Sequence, residues 1–148
     1  MRARRVLTIG GSDSSGGAGI QADIKTFSAL GVYGTSVLTA ITAQNSYGVQ
    51  AVHEVPADMV DAQIVSLMSD PGLGVDYAKT GMLYSSAVIE VVAQALTRYN
   101  IPFVLDPVMR AGSGGILLED NASKTLIERL LPICAVITPN VPEASFIS

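Results

Sequence analysis

The residues best equipped for chemistry stand early in the chain, in Gly10-Gly-Ser-Asp-Ser-Ser-Gly-Gly-Ala-Gly-Ile-Gln-Ala-Asp23. Five glycines and three serines in fourteen residues make a cradle for something small, and Asp23 closes it with a carboxylate. A Walker phosphate loop is excluded, because Gly17 and Ala18 occupy the places of its Lys and Ser/Thr. The segment Gly17-Ala-Gly19-Ile-Gln-Ala22 does match G-x-G-x-x-A. The apolar run before it ends too early, however, and no acid follows about 20 residues later to hold a ribose.

Asp23 is the stronger clue. On a helix, Ile20, Ile24, Phe27 and Leu30 form one apolar face, and Asp23 projects within that arc. An inward carboxylate is costly unless something satisfies it. A bland reading also stands, in which the helix dipole favours an acid near the N-terminus. The glycine-lined turn just before it favours the ligand-facing reading. A carboxylate here and a carboxamide at Gln44 suit a neutral heterocycle bearing an amino group, and suit a phosphate badly.

The elements that must position these groups alternate between short β-rich runs and helices of period 3.6. Strands are predicted near Val6–Gly10, Val37–Gln44, Val75–Lys79, Phe103–Asp106 and Ala135–Thr138, with a short extra one at Val49–Val55. Helices are predicted near Ala18–Leu30, Ala57–Ser69, Ser86–Tyr99 and Ala122–Leu131, with Gly31 stopping the first and Asn121 capping the fourth. Leu131-Pro-Ile-Cys-Ala-Val-Ile137 reads as a buried strand that places Cys134 in the core. Such alternation implies an α/β fold, a three-layer αβα sandwich around a mostly parallel sheet, and residues 1–148 are by length one domain or an incomplete part of a larger one. Ligands of such folds sit beyond the carboxyl ends of the strands. Those ends carry Gly11-Ser-Asp13, Gln44-Asn45, Lys79-Thr-Gly-Met82, Asp106-Pro-Val-Met109 and Thr138-Pro-Asn140, so one rim collects the unusual polar groups.

Composition narrows the function classes. About half of the residues are apolar, 15% are charged and the formal net charge is −4. That supports a core and leaves no basic field for nucleic acid. No apolar stretch reaches membrane-spanning length, and the run after Arg2, Arg4 and Arg5 is too short for a signal peptide. A cytoplasmic protein without nucleic-acid or membrane partners is expected. One cysteine and one histidine, His53, leave little for disulfides, thiolate clusters or a Ser-His-Asp triad.

The Gly10–Asp23 segment resembles the N-terminal signature of the hydroxymethylpyrimidine/phosphomethylpyrimidine kinases of thiamine biosynthesis, which are ribokinase-like. The likeness continues through Gly34-Thr-Ser, Thr42-Ala-Gln-Asn45, Lys79-Thr-Gly-Met82, Asp106-Pro-Val-Met109 and Thr138-Pro-Asn140-Val-Pro-Glu143. It implies ATP-dependent phosphorylation of 4-amino-5-hydroxymethyl-2-methylpyrimidine and then of its monophosphate. Asp23 and Gln44 would then hydrogen-bond the ring, with Gly11, Met82 and Val108 lining it. Asp106, Asn140 and Glu143 would serve Mg²⁺ and ATP, with Asp106 and Glu143 as the metal's carboxylates. Asn140 to Glu143 is also a capping-box pattern, and Ser12 to Ser15 can be turn-formers alone. Lys79 reads as an anchor on the rim.

By the same resemblance the catalytic base, the anion hole and most of the adenine site follow Ser148, where relatives continue for roughly 100 residues. No catalytic residue is therefore expected within the chain, and these residues alone should not turn over. A homodimer is expected. The alternatives are a pyridoxal or pyridoxine kinase on the same scaffold, and a non-catalytic pyrimidine-binding module.

Overall fold

The computed structural model describes residues 4–109, 117–119 and 121–148. The chain runs β1 (Arg5–Asp13), α1 (Gly19–Ala29), β2 (Tyr33–Asn45), β3 (Gly48–Glu54), α2 (Ala57–Ser69), β4 (Tyr77–Thr80) and α3 (Ser86–Arg98). It continues with β5 (Phe103–Leu105), α4 (Ala122–Arg129), a 3-10 turn at Leu131–Ile133, β6 (Val136–Ile137) and α5 (Val141–Ile147). The six strands lie in the order β3-β2-β1-β4-β5-β6. All neighbours are parallel except β2 and β3, which form a hairpin.

Period-2 alternation along the central strands sends opposite residues to the two faces. Leu7 and Ile9 of β1, Val37 of β2 and Phe103 and Leu105 of β5 enter the main core, with Val60 and Ile64 of α2. Val88, Ile89, Val92 and Leu96 of α3, and Leu126 of α4, complete it. The intervening residues face α1. There Gly34 permits close approach, since a Cβ on it would lie 2.8 Å from Ile24 Cδ1 and 2.9 Å from Phe27 Cδ2. The αβα layering expected from sequence is present.

Element boundaries differ in instructive places. The helix face expected at Ile20, Ile24, Phe27 and Leu30 holds for the first three, but Leu30 is 73% exposed. Leu30 is the C-cap, and Gly31 at φ +69° turns the chain away. Gly31 N donates to Ser28 O and Val32 N to Phe27 O, which makes a Schellman motif. Asn121 stands at the N-cap of α4 yet makes no side-chain cap, because it is already in the αR conformation. The buried strand expected over Leu131–Ile137 is overturned: Pro132 sits in the 3-10 turn, and β6 keeps only two residues. Cys134 is half-buried rather than a core residue, and burial pushes its thiol pKa up.

Where β1 reaches the rim, its register against β2 slips between Gly10 and Gly11. Such a bulge bends a strand end and re-aims its side chains. Beyond it, Gly19 opens α1 at φ +59°, and a Cβ there would stand 2.4 Å from Gly11 O. Gly31 has the same left-handed backbone but open space around it. Gly31→Ala should therefore cost about 1 kcal/mol, the left-handed penalty alone. Gly19→Ala should cost at least about 3 kcal/mol, because the backbone must also move. Urea midpoints of the two variants check this, and equal losses would contradict it.

Candidate active site

The site grows from the turn between β1 and α1. Asp13 ends β1 with its carboxylate folded back over the following residues. Its Oδ1 accepts from Ser15 N and Ser15 Oγ, both at 2.8 Å. Its Oδ2 accepts from Gly17 N at 3.0 Å and Ala18 N at 2.8 Å. The backbone donors that a phosphate loop would offer to a ligand are spent here on the chain's own carboxylate. This is the physical reason the glycine-rich stretch is not a phosphate loop. It also supplies what α1 lacks, since its N-cap, Ala18, has no capping side chain. Burial works to raise the pKa of Asp13, but the donors from Ser15, Ala18 and Gly17 together hold it below the ordinary value.

Two latches fasten this turn. Gln21 Oε1 accepts from Asp13 N at 2.9 Å, while Gln21 Nε2 donates to Ser12 Oγ at 2.7 Å. Ser14 Oγ donates to Gln44 O at 2.7 Å and accepts from Gln44 N at 2.9 Å. Ser12, Asp13, Ser14 and Ser15 thus shape the turn, and Ser14 also fixes the end of β2 that carries Gln44.

Beyond the strand ends lies a cavity of about 330 Å³. It opens where the strand order reverses around β1, the topological switch point of such a sheet. Gly11, Asp23, Gln44, Met82 and Val108, all anticipated from sequence, line it, and Asp106 joins them. Gly11 cannot carry a side chain without displacing Met82, whose Sδ lies 2.9 Å from where that Cβ would be. The Met82 carbonyl is fixed by Thr39 Oγ1, which donates to it at 2.5 Å.

Lys79 is the contributor whose weight the sequence reading missed. Its Nζ lies 3.2 Å from both Asp23 oxygens and 3.4 Å from Asp106 Oδ2. Thr8 Oγ1 adds a 2.6 Å hydrogen bond to Asp23 Oδ2. The one signal for Lys79 in the sequence was its place near a strand end on the rim, to which an inward-facing Asp23 on α1 and Asp106 after β5 both bring a need for counter-charge. Asp106 has its pKa raised by burial, against the downward pull of Lys79, with Glu143 and Asp23 adding smaller upward contributions.

Asn140 and Glu143 do not line the cavity; they form a reciprocal cap. Asn140 Oδ1 accepts from Glu143 N, and Glu143 Oε2 accepts from Asn140 N, each at 2.9 Å. The capping reading therefore holds. Glu143 is nevertheless buried, and its charge reaches Asp106 on the neighbouring strand. Among the described residues no group of three or more His, Cys, Asp or Glu could hold a metal unaided. Mg²⁺ is commonly held through only one or two carboxylates, with waters and phosphate oxygens as its remaining ligands. His53 is exposed on β3.

A mostly parallel sheet between helical layers, with its cavity at the switch point, defines a ribokinase-like αβα protein. The chain belongs to the phosphomethylpyrimidine kinase family, whose sequence model matches residues 13–148. The hydroxymethylpyrimidine/phosphomethylpyrimidine kinase of Escherichia coli is 53% identical over 146 residues, which is 98% of this chain and 54% of that protein. The enzyme of the same name from Rhizobium meliloti is 54% identical, over 96% of this chain and 53% of its own length. The crystal structure of phosphomethylpyrimidine kinase from Clostridium difficile superposes with a TM-score of 0.90 at 48% identity, covering 98% of this chain and 62% of that one. The chain spans about half the length of the curated relatives it matches. No helix among the described residues is long and apolar enough to cross a membrane.

Asp13 generates a pH prediction. Its folded pKa is depressed, so its stabilising contribution is present above the unfolded value near 3.8 and is lost as pH falls through the lower folded value. Asp13→Ala strands the N–H groups of Ser15, Gly17 and Ala18, and should cost about 2–3 kcal/mol at pH 7. That deficit should shrink below the unfolded pKa. Urea unfolding of both chains from pH 7 downward measures it, and a constant gap would refute the assignment.

Proposed function

We propose that this chain forms the substrate-binding part of an ATP-dependent kinase of thiamine biosynthesis. Its substrates are 4-amino-5-hydroxymethyl-2-methylpyrimidine and the corresponding monophosphate. One observation carries the reading: a cavity of ring size at the switch point, in which Asp23 and Gln44 meet Gly11, Met82 and Val108. Its volume suits a small heterocycle, and its few polar groups suit a ring with donors and acceptors on its edge. The names of the curated relatives support the same substrate class.

Asp106 and Glu143 would hold Mg²⁺ beside the phosphates of ATP, with Asn140 presenting the start of α5. The bound nucleotide and metal supply the phosphoryl group and neutralise its charge. The chain's own residues orient the ring and set its distance from that side of the rim. Because the chain spans about half the length of the curated relatives, turnover is assayed on a polypeptide of family length. A homodimer remains our reading of the assembly.

A second substrate deserves an arm of the test. The pyridoxal kinase from Staphylococcus aureus, solved in complex with AMP-PCP and pyridoxal, superposes with a TM-score of 0.86 at 36% identity. Calorimetry with the pyrimidine and with pyridoxal distinguishes the two. Asp23→Ala and Gln44→Ala should each lose on the order of 1–3 kcal/mol of pyrimidine binding. Unchanged affinity in both variants would sink the ring assignment. On the other side of the rim, Glu143→Gln preserves the cap and should lower turnover at least about tenfold across a Mg²⁺ titration. Pyrimidine affinity should stay within about twofold. Intact turnover would leave Glu143 a capping residue only.

A further inference from the structure

We propose that Lys79 is a positioning residue that, with Thr8, locks the Asp23 carboxylate in one orientation and so makes the cavity selective for a ring with an exocyclic amino group. This rests on reading the cavity as an aminopyrimidine site. Thr8 and Lys79 are directly opposed in the parallel register of β1 and β4. Both side chains reach the α1 face, where Asp23 hangs over them from the first turns of the helix. Thr8 Oγ1 donates to Oδ2 at 2.6 Å, and Lys79 Nζ approaches both carboxylate oxygens at 3.2 Å. A carboxylate offers about four acceptor positions, so three are committed to the sheet below. The fourth faces the cavity and can accept a hydrogen but not donate one. A ring amino group satisfies it; a ring oxygen or bare C–H does not.

Lys79 is itself restrained. Its second partner, Asp106 Oδ2 at 3.4 Å, holds the ammonium between two carboxylates. Exposed ion pairs contribute little, because solvent screens them and the side chains wander. Here the Lys79, Asp23 and Asp106 side chains are only 28%, 18% and 30% exposed. Remove the ammonium, and Asp23 keeps one tether, Thr8, about which the carboxylate can turn.

Lys79→Met keeps the aliphatic length without donors, and Lys79→Arg keeps charge and donors. Each is titrated calorimetrically with 4-amino-5-hydroxymethyl-2-methylpyrimidine and with the analogue lacking the amino group. The unaltered chain should prefer the amino compound by about tenfold or more. Lys79→Met should reduce that preference to about twofold, and Lys79→Arg should restore most of it. An undiminished preference in Lys79→Met, at an unchanged melting temperature, overturns the proposal. A ligand-free readout is the side-chain ammonium signal of Lys79 in proton–nitrogen spectra. It should be protected in the unaltered chain and broadened in Asp23→Asn and in Asp106→Asn. A signal indifferent to both substitutions overturns the tie itself. Failure of the amino compound to bind the unaltered chain would instead remove the aminopyrimidine reading and the selectivity with it, while the ammonium signal still decides whether the tie exists.

Discussion

The Asp13 carboxylate is the constraint on which the site's geometry depends. A turn of glycines and serines has many conformations, and ordering it costs backbone entropy. Hydrogen bonds from Ser15, Gly17 and Ala18 to one side chain select a single path from β1 into α1. That path sets where α1 begins, and therefore where Asp23 stands over Thr8 and Lys79. The Gln21 and Ser14 latches carry the same constraint to Ser12 and to the end of β2. Glycine at position 19 is required for the turn to close, because Gly11 O occupies the space a side chain would need.

Charge on the rim is arranged around a deficit of cations. Asp23, Asp106 and Glu143 interact with one another or with Lys79, the only cation among the described residues lining the cavity. The balance is acidic. Such a rim attracts donors and a dication, and repels a phosphate that arrives without one. The raised pKa of Asp106 expresses the same shortage, since burial there outweighs the share of Lys79 it receives. The Asp23 and Asp106 parts of the rim thus adjoin across a single ammonium.

Much of this was legible in the residues themselves, for reasons that differ by element. The boundaries of α2 and α3 reproduce well because helical periodicity and packing agree there. The rim residues were legible because parallel topology forces strand ends to one side. The misses have local causes. Leu30 continued the helical period, but Gly31 ended the helix under it, so the stripe lost its last member to solvent. The Leu131–Ile137 run is apolar enough for a strand, yet Pro132 and position at the end of the sheet leave only Val136 and Ile137 paired. Lys79 was underweighted since a lone lysine on a strand carries no periodic signal; its meaning came from two carboxylates distant in sequence. Asn140 and Glu143 were legible as a cap, and that much is geometry. The link of Glu143 to Asp106 is electrostatic, and sequence spacing does not encode it.

Met82 gives the cavity a mechanical property. Its thioether fills the hollow left by the absent side chain of Gly11, while Thr39 pins the backbone beneath it. An unbranched, polarisable chain on a fixed stem can change rotamer at small cost. The floor is therefore elastic where the polar walls are stiff. On the ring-binding reading proposed above, a ring with one more or one fewer substituent would meet a surface that reshapes under it, without disturbing the hydrogen bonds at its edge. In such a pocket, breadth of substrate is written into the floor and strictness into the walls, so each can change by mutation without the other.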